Sequence, residues 1–296
     1  MAYIYYGLRV IVLGAIGALT CFLLNLIASA LSSQKVNIYN IAPIVTGLLI
    51  PLALPAAIDY SIVICACAFS ILVVEMPFGG CGFNFFNPAA AGIAFAAFCW
   101  PTSVFTYTEP LVKLPVFGKI VASSYSPAYY LKLGAVPKLD LVDLLTGEFV
   151  GPMGTSCVFA LIAGFIFLLV RKVINWRTVL SYFVAVIAMF ALFPRIHSDS
   201  ISSVLLELCS GSVIFGGIFM VSEPVTAPKR NIPKYIYGFL IGIFTVLFRY
   251  YGGFEQGVAF AVLILNIFSP LLDLYSEKVI YYSRRVRIAR KPKSSE

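Results

Sequence analysis

Nine apolar runs, separated by short polar punctuation, constrain this chain more than any other feature. They cover residues 8 to 31, 41 to 57, 58 to 76, 86 to 100, 153 to 170, 178 to 194, 202 to 222, 235 to 250 and 256 to 275. A hydrocarbon core takes roughly 20 helical residues per crossing, so runs of this length read as spanning helices. Several runs are shorter than a full span and contain Pro or Gly, such as the run holding Pro51 and Pro55 and the run ending at Glu223-Pro224, and these read as broken helices. Such breaks persist in lipid only where protein or a water-filled cavity satisfies the freed backbone groups. Of the 296 residues, 60% are hydrophobic and 11% charged, which leaves no room for a large soluble domain. The predicted fold is an all-α integral membrane protein of about nine transmembrane helices.

The formal charge of +8 does not point to nucleic acid, because its placement follows the membrane rule. Arg171, Lys172 and Arg177 share one loop, Lys229, Arg230 and Lys234 the next, and Arg284 to Lys293 crowd the tail. Each group is two crossings from the last, so all three belong on the cytoplasmic side. Counting backward puts Lys35 inside, and residues 101–152 and the N-terminus outside. The expected divisions are a first membrane repeat over 1–100, an extracytoplasmic loop over 101–152, a second repeat over 153–275 and a basic cytoplasmic tail over 276–296. The long loop, rich in proline and serine, is a candidate site by its length alone. The first apolar run is too long for a cleavable signal peptide and no small-residue cleavage site follows it.

Two stretches repeat one another. Gly79-Gly80 is followed by Gly92-Ile93-Ala94-Phe95, and Gly252-Gly253 by Gly257-Val258-Ala259-Phe260. Each follows an apolar segment and, further upstream, a short helix ended by proline, at Pro55 and Pro224. Corresponding helices run in opposite directions under the orientation above. This is the pattern of an inverted-topology repeat, here with four helices in the first half and five in the second. Broken helices in such folds meet near mid-depth and aim their ends at an ion, substrate or cofactor.

Polar residues inside apolar runs are costly and need a reason. Glu75 ends the third run before the glycine-rich break, and Glu223 sits at a proline-broken helix end. Both are candidates for ion passage or cofactor contact, with an interfacial cap or salt bridge as the plain alternative. Asn84 and Asn87 flank an aromatic pair, where they would contact a cofactor or cap the helix beginning at Pro88. Arg249 would bind a phosphate or a partner carboxylate, or snorkel to the interface. Asp273 is expected to cap or pair at the inner face, and His197 shows no sign of catalysis. The seven cysteines, Cys81 in the glycine break among them, lack metal-ligand spacing. Cys65 and Cys67, two apart, point to different sides of a helix. No nucleophile triad or phosphate loop is present.

Four segments resemble a known family: residues 79–89 (GGCGFNFFNPA), 151–156 (GPMGTS), 222–226 (SEPVT) and 251–263 (YGGFEQGVAFAVL). In this order they are similar to the D-type subunit of the Rnf electron transport complex, homologous to the B-type subunit of the sodium-pumping NADH:quinone reductase. The resemblance runs from about Leu8 to Asp273. It implies a ten-helix bacterial inner-membrane subunit of two inverted five-helix halves, carrying flavin in a chain that links ferredoxin and NAD to Na+ or H+ movement. The partners implied are the other complex subunits, membrane lipid and the transported ion. The subunit is not catalytic alone, since the cofactor carries the redox chemistry. The family also favours an acid at Glu223. Two departures accompany the likeness. The chain begins at what would be the family's second helix. And where the family attaches FMN by a phosphoester to threonine, the aligned stretch is Ile120 to Pro127, with Ser126 in the acceptor place, Ile120 for the motif's Asp and Tyr125 for its Ala. Ser123, Ser124 and Ser126 are the candidate flavin contacts, or a polar turn before Pro127. The likeness also allows a noncovalent riboflavin. The alternative is a flavin-free paralogue acting as scaffold, small-solute channel or vitamin transporter.

Overall fold

A computed structural model describes all residues except 33–38, 119, 121–123, 138, 156, 197–199, 254 and 290–296, and no side chains at 141, 200 and 279–289. Ser123 and His197 therefore lie outside the described residues, as do Lys35 and the last basic residues.

Each of the nine apolar runs forms helix, and the described residues hold no β-strand beyond one isolated bridge. Among the described residues, four helices are long and apolar enough to cross a membrane: α1 (Leu8–Leu31), α3 (Tyr60–Phe78), α10 (Asn231–Tyr251), and Gly257–Lys278 of α11 (Gly257–Ala289). Shorter apolar helices are α2 (Ala42–Leu52), α4 (Pro88–Cys99), α6 (Val158–Val170) and α7 (Trp176–Leu192). The pair α8 (Ser200–Cys209) and α9 (Val213–Phe219) bends by 60°. A short polar-loop helix, α5, covers Pro127–Lys132.

The breaks fall where the sequence forbids continuation. Pro51 sits inside α2, which ends at Leu52, because proline removes a backbone donor and crowds the preceding turn. The α3 rod changes winding to a π-helix over Ser70–Glu75 and then a 3-10 turn over Met76–Phe78. Such π segments recur at functional sites. Gly79 and Gly80, at φ 111° and 86°, then turn the chain through a region that side-chain-bearing residues avoid. The second glycine pair does not copy this geometry, since Gly252 is extended at φ −77°. The likeness of the two pairs is therefore one of sequence and place, not of backbone shape.

Two ends of the bundle can be told apart by hydrogen bonds. At one, here the loop end, the Tyr60 hydroxyl at the start of α3 donates to Val116 O, and Ser126 meets Glu255 beyond the end of α10. At the other, the break end, Asn84 meets Glu223 and Asp273 accepts from the backbone of Lys229 and Arg230 just before α10. Helices α3 and α10 therefore run in opposite directions.

Reciprocal contacts join the halves. Asn87 at the start of α4 donates its amide to Met220 O, at the end of α9, at 3.1 Å. Gln256 at the start of α11 donates to Ala53 O, at the end of α2. Each broken helix thus leaves a carbonyl that the opposite half satisfies, as buried backbone requires. Helix contacts are close where glycine permits: a Cβ on Gly17 of α1 would collide with the Gly47 carbonyl of α2. Arg9, 1% exposed, has no acidic partner among the described residues and bonds the carbonyls of Ala56, Ile58, Pro115 and Val116, stapling the loop to the bundle.

Candidate functional site

The break end gathers Glu75, Glu223, Asn84 and Asn87 from three separate segments. The π turn of α3 directs Glu75 inward, where it is 3% exposed and accepts a long 3.4 Å bond from Asn25 of α1. Glu223 follows the end of α9. Its two oxygens accept from Asn84 Nδ2 at 3.2 Å and Thr226 Oγ1 at 3.0 Å. The two carboxylates lie within Coulombic reach of each other, and the side chains that bond them, Asn25, Asn84 and Thr226, carry no charge. Neither glutamate has a salt bridge among the described residues. Carboxyls held by amides and a hydroxyl have no compensating cation among the described residues, which suits a site that takes up and releases a proton or a small cation.

Asn84 and Thr226 also line a cavity of about 500 Å³ that reaches Asp273 and Glu277. Along α11, Asn266, Ser269 and Asp273 share one helix face and present polar groups to it. Asp273 caps the start of α10, as expected, accepting from Lys229 N at 2.8 Å and Arg230 N at 3.2 Å. Asn87 caps α4, its oxygen accepting from Ala90 N at 2.9 Å, while its amide holds Met220 O.

The loop end has a different chemistry. Arg249, expected at the surface, is instead 3% exposed. It pairs with Glu207 at 3.0 Å and donates to Ser210 O at 2.8 Å. Glu207 is also held in a bidentate fork by Arg195 at 2.6 and 2.9 Å. Desolvating a charge is costly, so an arginine buried here needs an acid beside it, and Glu207 supplies it.

Ser126 caps α5, accepting from Tyr129 N at 3.3 Å, and donates to Glu255 Oε2 at 2.6 Å. Tyr107 donates to the same oxygen at 3.2 Å. Ser124 pairs with Tyr107 through two backbone bonds in an isolated antiparallel bridge. Burial raises the Glu255 carboxyl above its usual range, against the opposing pull of Ser126, Arg249 and Tyr107. Burial, with Glu255 beside it, likewise raises the Tyr107 phenol. The Ser126 side chain is fully enclosed. A phosphoester at its oxygen would set a phosphate beside the Glu255 carboxylate, so the residues present do not fit FMN at this position.

No group of three His, Cys, Asp or Glu among the described residues could hold a metal. Glu255, Glu207, Asn25 and Gln256 are the site residues that the sequence left unassigned. Glu255 and Gln256 stood in a quoted motif without a role. Glu207 and Asn25 carry no local signal beyond being polar inside apolar helices.

Comparison with known proteins agrees with this architecture. The D-type subunit of the Na(+)-translocating ferredoxin:NAD(+) oxidoreductase complex of Acetobacterium woodii is 28% identical over 286 residues, 95% of this chain and 86% of the relative. The D-type subunit of the ion-translocating oxidoreductase complex of Cronobacter sakazakii is 29% identical over 84% of this chain and 80% of its own. The B-type subunit of the Na(+)-translocating NADH-quinone reductase of Chromohalobacter salexigens is 32% identical over 77% of this chain and 56% of its own. Residues 1–282 match the NQR2, RnfD, RnfE family, and the chain belongs to that family.

Proposed function

We propose that this chain is the D-type membrane subunit of an Rnf-like complex that couples electron transfer to movement of Na+ or H+ across a bacterial cell membrane. The break end faces the cytoplasm and the loop end the outside, following the basic loops, so the N-terminus is external and the tail internal. The two halves act as an inverted repeat of four and five helices, a reading favoured by the antiparallel α3 and α10 and by the reciprocal amide contacts. The ion enters by the cavity beside Asp273 and meets Glu223 and Glu75. Electrons between ferredoxin and NAD pass through partner subunits, since this chain has no nicotinamide fingerprint or cluster motif, and no electron is routed through Ser126.

The observation that carries the proposal is the pair of carboxylates at Glu75 and Glu223, bonded by neutral side chains at a helix break. The test is Glu223→Gln in the assembled complex, reconstituted in vesicles. Gln keeps an oxygen for Asn84 and loses the charge. Electron transfer should continue while the ions moved per electron fall sharply; an unchanged ratio would refute the role. The enclosed Ser126 favours a second reading, a flavin-free member retaining the fold as scaffold, small-solute channel or vitamin transporter. Purification of the tagged chain separates them, because redox subunits accompany it only under the first.

A further inference from the structure

We infer that Ser126 is a latch on Glu255 and not a flavin acceptor, so that this chain carries no phosphoester flavin at that position and its outer loop is instead fastened to the second glycine pair. Four observations carry this. The Ser126 hydroxyl is fully enclosed, so a transferase and its FMN donor could reach it only with these contacts opened. Both capacities of the oxygen are in use, the proton given to Glu255 at 2.6 Å and a lone pair receiving Tyr129 N–H at 3.3 Å. Esterification would remove that proton and leave the carboxylate facing a phosphate, replacing a charge-assisted bond with like-charge repulsion. The neighbours are also built for closure. The ring of Tyr125, where the family motif has alanine, stacks on Tyr129 at 4.3 Å and 19°.

The fastening has three strands. Ser126 and Tyr107 both donate to Glu255, and Lys132 Nζ at the end of α5 donates to Gly252 O at 2.9 Å. Together they tie residues 107–132 to the turn between α10 and α11. Glu255 is thereby held where the charge of Arg249 acts on it, and Arg249 pairs with Glu207, which Arg195 also holds. The latch closes the loop end above this buried charge cluster. It is independent of the ion pathway proposed at Glu223, which lies at the other end of α10.

Two measurements test it. In the first, the full chain is produced with a flavin transferase and with its partner subunits. Intact mass should match the unmodified polypeptide, with no flavin fluorescence after denaturing electrophoresis, and Ser126→Thr should behave alike because enclosure and not hydroxyl type decides. An FMN-sized increment on the unaltered chain, lost in Ser126→Ala, would overturn the proposal. In the second, amide exchange over residues 124–132 should accelerate by about tenfold in Ser126→Ala and in Glu255→Ala. The double variant should exchange no faster than the faster single variant, because the bond the two residues share is lost only once. Single effects that multiply in the double variant would show that the two residues act separately, and the latch would fall. If Ser126→Ala does not accumulate, the mass of the unaltered chain and the exchange in Glu255→Ala still decide.

Discussion

The two ends of the bundle solve the same problem, carboxylates beside broken helices, in opposite ways. At the break end, Glu75 and Glu223 are bonded by Asn25, Asn84 and Thr226, all neutral. At the loop end, Glu207 lies between Arg195 and Arg249, and Glu255 accepts two hydroxyl protons. Compensated charges hold a structure together, and uncompensated ones are available to a mobile ion. The contrast teaches that the two ends, whatever their likeness in sequence, differ in their electrostatics.

The sharpest break of this comparison is Glu207→Ala. It leaves two arginines without their acid in a site where Glu207 is 1% and Arg249 2% exposed at the side chain. The cost should be about 3–5 kcal/mol, read as loss of the folded chain or a large drop in Tm. Glu223→Gln should instead leave Tm almost unchanged, because it removes no ion pair. If both variants unfold the protein alike, the break end is a structural cluster too.

The reciprocal clamps give the next test. Asn87→Ala and Gln256→Ala each remove the clamp on a buried carbonyl, of Met220 and Ala53, and each should cost about 1–3 kcal/mol. Met220 O keeps a long 3.4 Å bond from Glu223 N, and Asn87→Ala also loses the α4 cap. Similar losses in Tm support equivalent places in two repeats. A large loss from one and none from the other would show that only one junction carries load.

The smallest effect is one of pH. The folded Glu255 carboxyl is raised above its usual value, chiefly by burial, so the folded state binds this proton more tightly than the unfolded one. Its contribution is fullest below the ordinary carboxylate range and fades as pH rises through the raised folded value. Tm should therefore fall slightly as pH is raised from about 4 through that value, and the slope should flatten in Glu255→Gln. An unchanged slope would assign the pH dependence elsewhere.

Much of this was legible in the sequence. Nine apolar runs gave the helices, Asn before Pro88 gave the α4 cap, and Glu223 before Pro224 gave a carboxylate at a helix end. What escaped was partnership. Ser126 and Glu255 are 129 residues apart, and no local pattern says that a serine before proline faces an acid in another half. Arg249 looked superficial because it lies near a helix end, yet side-chain direction depends on which neighbour packs there, and that neighbour is Glu207 on α8. Glu75 was visible as a costly residue, but the π turn that aims it inward depends on tertiary packing, not on a residue type. The glycine pairs are alike in sequence, and that likeness conceals that their backbones differ.

An ion can pass from one end of the bundle to the other across a membrane only if the two ends face opposite compartments. The direct measurement is accessibility labelling of single cysteines placed at Lys113, on the loop stapled by Arg9, and at Arg230, beside the Glu223 end, in intact cells and in inverted vesicles. Lys113→Cys should react only from outside and Arg230→Cys only from the cytoplasm. Labelling of both from one side would contradict the antiparallel halves and, with them, the passage of an ion from one end to the other.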